Sequence, residues 1–157
     1  GEHSLEERCE WIKESIPMTA RKVDPTCVEH LARVVTEKRV TKGEFIAREG
    51  EPGTSMHFVI EGSCSATLHG RELERLLSGN CFGEIALLEA CKSIQAGGVV
   101  DGANNRRVAS VVALEDCLLY ELGAESASKL LAMSPNLWST LETMARRRRR
   151  RSSDEMV

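Results

Sequence analysis

The chain has 157 residues, of which 41% are hydrophobic and 29% are charged, and its formal net charge is −3. This composition is typical of a soluble globular domain, and no apolar run approaches the ~20 residues that a membrane-spanning helix needs. The polar, acidic N-terminus argues against a signal peptide, and the initial Gly1 suggests an excised piece, which leaves a membrane-embedded parent protein open. Because Arg146–Arg151 supply six positive charges, the remaining residues carry −9. An acidic body with a short basic end is not the basic face of a nucleic-acid reader, so we expect no nucleic-acid partner.

The first 36 residues are predicted to form two helices that resemble a linker. Leu5, Cys9, Ile12 and Ile16 follow helical spacing, and Pro17 ends the pattern. The second helix is predicted to begin at Asp24-Pro25, with the aspartate as N-cap and the proline in the first turn.

Residues 37–122 change to short β-rich runs separated by glycine turns, a pattern typical of an antiparallel sandwich or small barrel. Strands are predicted at 39–40, 45–47, 57–60, 64–68, 73–77, 108–113 and 118–122. The glycine-containing stretch 93–105 indicates a flexible loop within a long insertion at 89–105.

Residues 123–146 are predicted to form two C-terminal helices, and 147–157 a basic, disordered tail. Neighbouring like charges repel, so the arginine run is interpreted as a frayed and solvated helix end. The run also fits an anionic-lipid contact or a nuclear-import patch, and Ser152 or Ser153 fits a phosphorylation site. The predicted fold class is α+β: a jelly-roll-like antiparallel β-roll, or double-stranded β-helix, flanked by helices on both sides.

Six cysteines occur without any C-x-x-C pair, which argues against a zinc site and against a disulfide framework. They are Cys9, Cys27, Cys64, Cys81, Cys91 and Cys117. We therefore expect reduced, mostly buried thiols and a cytoplasmic location.

The most informative motif is Phe82–Leu88, followed after a gap by Arg106–Ser110. The Glu84 carboxylate can accept a hydrogen bond from a sugar hydroxyl, and an arginine fork matches phosphate oxygens. Gly83 lets backbone N–H groups approach an anion closely. Strand alternation does not decide whether Arg106 or Arg107 points inward.

From Asp24 to Ala145 the chain resembles the cyclic-nucleotide-binding domain family. The matching turns are Arg48-Glu49-Gly50, Ile60-Glu61-Gly62 and Gly79–Glu84, followed by the phosphate-binding cassette Phe82–Leu88 and its closing segment Arg106–Val111. The closing segment and the flanking helices are most similar to those of hyperpolarisation-activated and cyclic-nucleotide-gated ion channels. The resemblance implies a cytoplasmic sensor domain that regulates a channel or transporter, with a kinase or exchange factor as other possible parents.

The resemblance also implies roles for individual residues. Glu84 would accept the ribose 2′-hydroxyl, Arg107 would pair with the cyclic phosphate, and amides near Ile85 and Ala86 would cradle that phosphate. The ligand-binding set is Phe82, Gly83, Glu84, Ile85, Ala86, Arg107, Val108 and Ala109, and the lid residues on the last helix are Leu141, Met144 and Arg146. No catalytic residue, metal or cofactor is expected; the ligand is cAMP or, more weakly, cGMP.

Two departures from the family pattern affect these expectations. The family often has threonine after the closing arginine, and its hydroxyl favours cGMP; Val108 lacks that donor, which favours cAMP. The insertion 89–105 is also unusually long, although closing a longer flexible loop costs only about 0.6 kcal/mol per doubling.

Two other functions stay open from the sequence. The insertion could obstruct the site and leave a structural assembly module of the same fold. His57 and His69 could instead belong to a cupin-like metalloenzyme, but their separation of twelve residues does not suit a shared metal site.

Overall fold

The computed structural model describes residues 2–16, 23–98 and 105–156. Its helices are α1 (Leu5–Ser15), α2 (Pro25–Val34), α3 (Glu84–Gln95), α4 (Ala124–Met133) and α5 (Pro135–Met156). Its strands are β1 (Thr36–Val40), β2 (Phe45–Ala47), β3 (Ser55–Glu61), β4 (Ser63–Leu68), β5 (Arg71–Leu77), β6 (Cys81–Phe82), β7 (Ser110–Ala113) and β8 (Cys117–Gly123). The structure confirms the predicted α+β class.

The first two helices begin where their capping residues require. Ser4 accepts from the Glu7 amide and Glu7 closes a capping box, whereas Asp24 caps α2 and Pro25 occupies its first turn. Helix α1 ends at Ser15, as the pattern predicts, although Pro17 lies outside the described residues.

Two four-stranded antiparallel sheets, with strand orders β1-β8-β3-β6 and β2-β7-β4-β5, form the β-roll. Strand β3 shows how they pack: Met56, Phe58 and Ile60 lie in the helix-facing core, whereas Val59 lies in the smaller core between the sheets. The two-residue side-chain period therefore buries both faces of β3, one against the helices and the other against the second sheet.

Helix α3 is longer than the sequence suggests. The predicted insertion 89–105 begins inside this helix, which continues to Gln95, and residues 99–104 of the insertion lie outside the described part of the chain. Ala90 and Cys91 are fully buried in the helix-facing core, and α3 contacts both α4 and α5. Tertiary packing therefore extends a helix that the glycines at 97 and 98 had shortened in the prediction.

Helix α5 also differs from its prediction. A disordered tail is expected at 147–157, but α5 runs without interruption to Met156. The expected repulsion within the arginine run is offset because Arg148, Arg149 and Arg151 form ion pairs with carboxylates of β5 and α3. None of the described helices combines the length and apolar character that crossing a bilayer requires.

All six cysteines are free thiols, and all except Cys9 are buried. Burial raises the pKa of Cys81 to about 12 and that of Cys91 to about 11. These buried groups therefore stay protonated and act as small apolar side chains.

Candidate functional site

A cavity of about 70 Å³ lies where the second sheet, the start of α3, segment 105–109 and the end of α5 meet. The eight residues of the predicted ligand-binding set all line it: Phe82, Gly83, Glu84, Ile85, Ala86, Arg107, Val108 and Ala109. The fold thus brings together two segments that are separated by more than twenty positions in the sequence.

Gly83 makes the sharp entry into α3 possible. Its φ is +90°, and a Cβ at this position would lie 2.7 Å from the Ser55 carbonyl oxygen. No side chain caps α3, and the first amides of any α-helix lack intrahelical acceptors. Because Ile85 and Ala86 border the cavity, this helix start can receive an anion.

Arg107 is held over the turn that precedes β3. Its backbone N–H donates to the Glu51 carbonyl (2.9 Å), and its carbonyl accepts from the Gly50 N–H (2.8 Å). The guanidinium donates from Nη1 to the Ser55 carbonyl (2.8 Å) and from Nη2 to the Ser55 hydroxyl (3.2 Å). A Cβ on Gly53 would overlap the guanidinium, so glycine is required for this close approach.

The electrostatic surroundings keep Arg107 a cation. Burial lowers its pKa, and the nearby Glu121 and Glu84 carboxylates oppose that effect. An arginine does not lose its proton under such conditions. The adjacent Arg106 is exposed and donates to the Gly50 carbonyl, so Arg107 is the deeper of the two candidates.

Glu84 is the first residue of α3 and is only 1% exposed. Its carboxylate forms an ion pair with Arg148 of α5, which is itself 18% exposed at the side chain. Burial acts to lower the pKa of Arg148, but Glu84 and Glu74 outweigh it and raise that pKa above the ordinary arginine value. Arg148 therefore stays ionised in this contact.

A second acidic residue, Glu74 of β5, joins the same cluster. Arg148 contacts both of its carboxylate oxygens, through Nε at 3.1 Å and Nη2 at 2.9 Å, and Arg151 adds a contact of 2.7 Å. We call Glu74, Glu84, Arg148 and Arg151 the arginine clasp. Glu74, Arg148 and Arg151 are absent from the predicted site residues, because a run of arginines carries no sign of which members find partners.

The predicted lid residues occupy other places on α5. Leu141 is buried in the helix-facing core, Met144 packs against that core, and Arg146 is exposed. The residues of α5 that line the cavity are Arg148, Arg151 and the buried Ser152. The part of α5 that faces the cavity thus begins beyond the predicted lid, because the earlier turns are used for core packing.

The two histidines of the cupin hypothesis are far from a shared site. His57 is buried on β3, donates from Nε2 to Glu121 at 2.8 Å and stacks on Phe82, whereas His69 is exposed in the turn between β4 and β5. Burial lowers the pKa of His57, and its hydrogen bond lowers the pKa of Glu121 to about 2. No group of three metal-ligating side chains occurs among residues 2–16, 23–98 and 105–156.

Residues 37–134 match the family described as the cyclic nucleotide-binding domain. The chain belongs to that family. The match spans the β-roll, the cassette and α4, and it includes all residues that line the cavity except Arg148, Arg151 and Ser152.

Among curated relatives, this cyclic nucleotide-binding domain is 30% identical over 137 residues to the rabbit (Oryctolagus cuniculus) potassium/sodium hyperpolarization-activated cyclic nucleotide-gated channel 4. It is also 30% identical over 143 residues to channel 3 of the same series from Mus musculus. The alignments cover 87% and 91% of this chain but only 10% and 16% of those channels. The chain thus corresponds to a small part of each relative.

Two solved structures share the fold. The structure titled "Sp-2Cl-cAMPS bound to PKAR CBD2" superposes with a TM-score of 0.72 at 18% identity, covering 99% of this chain and 96% of the other. The regulatory domain of Toxoplasma gondii PKA, crystallised with cAMP, gives a TM-score of 0.70 at 21% identity, covering 93% and 50%. These likenesses confirm the architecture of the domain.

Proposed function

We propose that this domain binds cAMP in the cavity between α3 and Arg107, and that binding regulates an attached effector. In this assignment, Arg107 and the first amides of α3 hold the cyclic phosphate, and Glu84 accepts the ribose 2′-hydroxyl. Phe82, Val108 and Ala109 supply the apolar contact around them.

The main support for the proposal is the hydrogen bonding of the Arg107 guanidinium. Hydrogen bonds within the described residues occupy two of its five N–H groups, both directed to Ser55. The remaining donors border a cavity that also receives the start of α3. A fixed guanidinium opposite a helix N-terminus is suited to an anionic phosphate.

We propose a preference for cAMP over cGMP because of Val108. This residue lines the cavity and is 39% exposed, so it is available to a ligand but offers no hydroxyl. A single neutral hydrogen bond contributes about 0.5–1.5 kcal/mol. The preference attributable to this position is therefore modest.

We propose that the effector is an ion channel or transporter and that the domain lies on the cytoplasmic side of its membrane. The support is the similarity to hyperpolarization-activated channels over most of this chain. A ligand that favours one arrangement of α5 over another shifts the balance between them by its differential affinity. Such a shift reaches the effector through the helices that share a core with α5.

Calorimetric titration of the domain with cAMP and, separately, with cGMP tests the proposal. We expect saturable binding that favours cAMP, and a loss of about 30-fold or more in Arg107→Ala, since removing one member of a buried charged contact costs ~2–5 kcal/mol. Arg39→Ala, at an exposed position of β1 outside the cavity lining, is the control. Thermal unfolding of both variants shows that they are folded.

A second function, an assembly module that no longer binds nucleotide, is favoured by the small volume of the cavity. Absence of heat and of ligand-dependent thermal stabilisation with both nucleotides would contradict cAMP binding and support that alternative. Equal affinity of Arg107→Ala and the unaltered domain would show that the phosphate is held elsewhere.

A further inference from the structure

We propose that the end of α5 competes with the nucleotide for the cavity, and that Glu74 sets nucleotide affinity by anchoring it there. The inference rests on the proposed function and extends it to a residue that contacts the arginines of the clasp. Glu74 is a positioning residue in this account, since it acts on the ligand through Arg148.

The cavity is small for the proposed ligand. The cavity measures about 70 Å³, whereas sites for small organic ligands have volumes of about 300–1,000 Å³. A cyclic nucleotide therefore enters only after part of the cavity lining has moved.

The part of the lining that moves is the end of α5. Gly83 and Glu84 belong to a turn and a helix packed into the core, and Arg107 is bonded to Ser55. Arg148 and Arg151, by contrast, reach the cavity with long side chains from the last turns of α5. Neither residue belongs to a strand, so their displacement breaks no hydrogen bond between strands.

The ribose hydroxyl and Arg148 would use the same carboxylate, that of Glu84. Glu84 carries the carboxylate that the ribose hydroxyl would use, and Arg148 already holds it. Because Glu84 is 1% exposed, a ribose cannot reach this carboxylate while Arg148 lies over it. Arg148 holds Oε1 of this carboxylate, so nucleotide binding and the Glu84–Arg148 ion pair compete for the same group.

Glu74 anchors the arginines of the clasp. Two carboxylates face two guanidiniums in the clasp, so its formal charges cancel. Glu74 accepts a two-pronged contact from Arg148 and a further contact from Arg151, which also donates to the Leu73 carbonyl at 3.3 Å. These bonds connect α5 to β5, a strand paired along its length with β4. Glu74 thus fixes the arginines at the cavity without itself belonging to the cradle for the phosphate.

The consequence is quantitative. When only a fraction of molecules has an open site, the apparent dissociation constant equals the intrinsic constant divided by that fraction. Weakening the anchor raises the open fraction and therefore tightens binding. A residue that merely supports the fold would not have this effect.

The test compares Glu74→Gln with Glu72→Gln, the same change on the same strand at an exposed position that pairs with Ser65 and Arg75. We expect the apparent dissociation constant for cAMP to fall by about fivefold or more in Glu74→Gln, at the lower end of typical coupling factors. Its melting temperature without ligand should fall, and Glu72→Gln should leave the cAMP affinity within about twofold. Hydrogen exchange of the ligand-free amides at 147–156 should be faster in Glu74→Gln.

Unchanged or weaker cAMP binding in Glu74→Gln would overturn the inference, as would unchanged exchange at 147–156. If neither the unaltered domain nor Glu74→Gln binds cAMP or cGMP, the proposed function fails, and competition for the nucleotide fails with it. In that case faster exchange in Glu74→Gln would still establish Glu74 as the anchor of α5. The two failures are thus distinguishable.

Discussion

The cavity has two walls of opposite construction. One wall, formed by Gly83, Ile85, Ala86 and Arg107–Ala109, consists mainly of backbone and apolar groups around a single cation. The other is the arginine clasp, in which carboxylates and guanidiniums satisfy one another. The first wall keeps donors available for an anion, whereas the second uses its charges internally. The difference shows that an arginine can serve as a binding group or can close a cavity. Which of these it does depends on whether carboxylates of the same chain already occupy its donors.

Breaking the second wall should have the largest effect on stability. Arg148→Ala leaves Glu84 buried without the cation that it contacts, and we expect a loss of about 2–4 kcal/mol in the free energy of unfolding without ligand. Urea denaturation measures it. Arg150→Ala, at an exposed position of the same helix, is the control. A loss below roughly 0.5 kcal/mol, the size of an ordinary surface substitution, would show that the ion pair contributes little to stability.

Breaking the first wall should weaken binding while retaining the charge. In Gly53→Ala, the new methyl group occupies the space of the Arg107 guanidinium, and we expect roughly a tenfold loss of cAMP affinity, equivalent to about 1.4 kcal/mol. Gly123→Ala is the matched control, since a Cβ there meets no atom within 4 Å. Equal titration curves for the two variants would mean that the position of Arg107 is not critical.

The smallest expected effect is a change in nucleotide selectivity caused by a substitution in the first wall. Val108→Thr adds a hydroxyl at the cavity, and the ratio of cGMP to cAMP affinity should rise by about 2–12-fold, the equivalent of 0.5–1.5 kcal/mol. Parallel titrations with both nucleotides give the ratio, with Val112→Thr on β7 as a control outside the cavity lining. An unchanged ratio would remove Val108 from the explanation of selectivity.

The first wall could be predicted from sequence because its parts are local signals. Gly83 precedes a helix, and Arg107, like the neighbouring Glu84 of the clasp, stands in a segment that resembles the family's cassette or its closing segment. Alternation alone did not distinguish Arg106 from Arg107. The choice depends on the Gly50–Gly53 turn, which pairs with segment 105–107 and leaves room for one guanidinium.

The second wall could not be predicted, because its bonds join residues far apart in sequence. Glu74 and Arg148 are 74 positions apart, and an acidic residue in a strand that also carries Arg71, Glu72 and Arg75 gives no indication of such a partner. The run Arg146–Arg151 by itself indicates repulsion and fraying. Only the tertiary position of α5 beside β5 and α3 reverses that expectation.

The helix-facing core has a mechanical consequence for the whole chain. Ile12 of α1 lies in the same buried cluster as Leu141 and Ala145 of α5, so the helices at the two ends of the described chain share one interior. Closely packed interiors transmit strain rather than absorb it. Coupling between two sites is reciprocal. If the cavity binds cAMP as proposed, we expect tension that shifts α1 against this cluster to change the affinity for cAMP, and cAMP to change the force borne by α1.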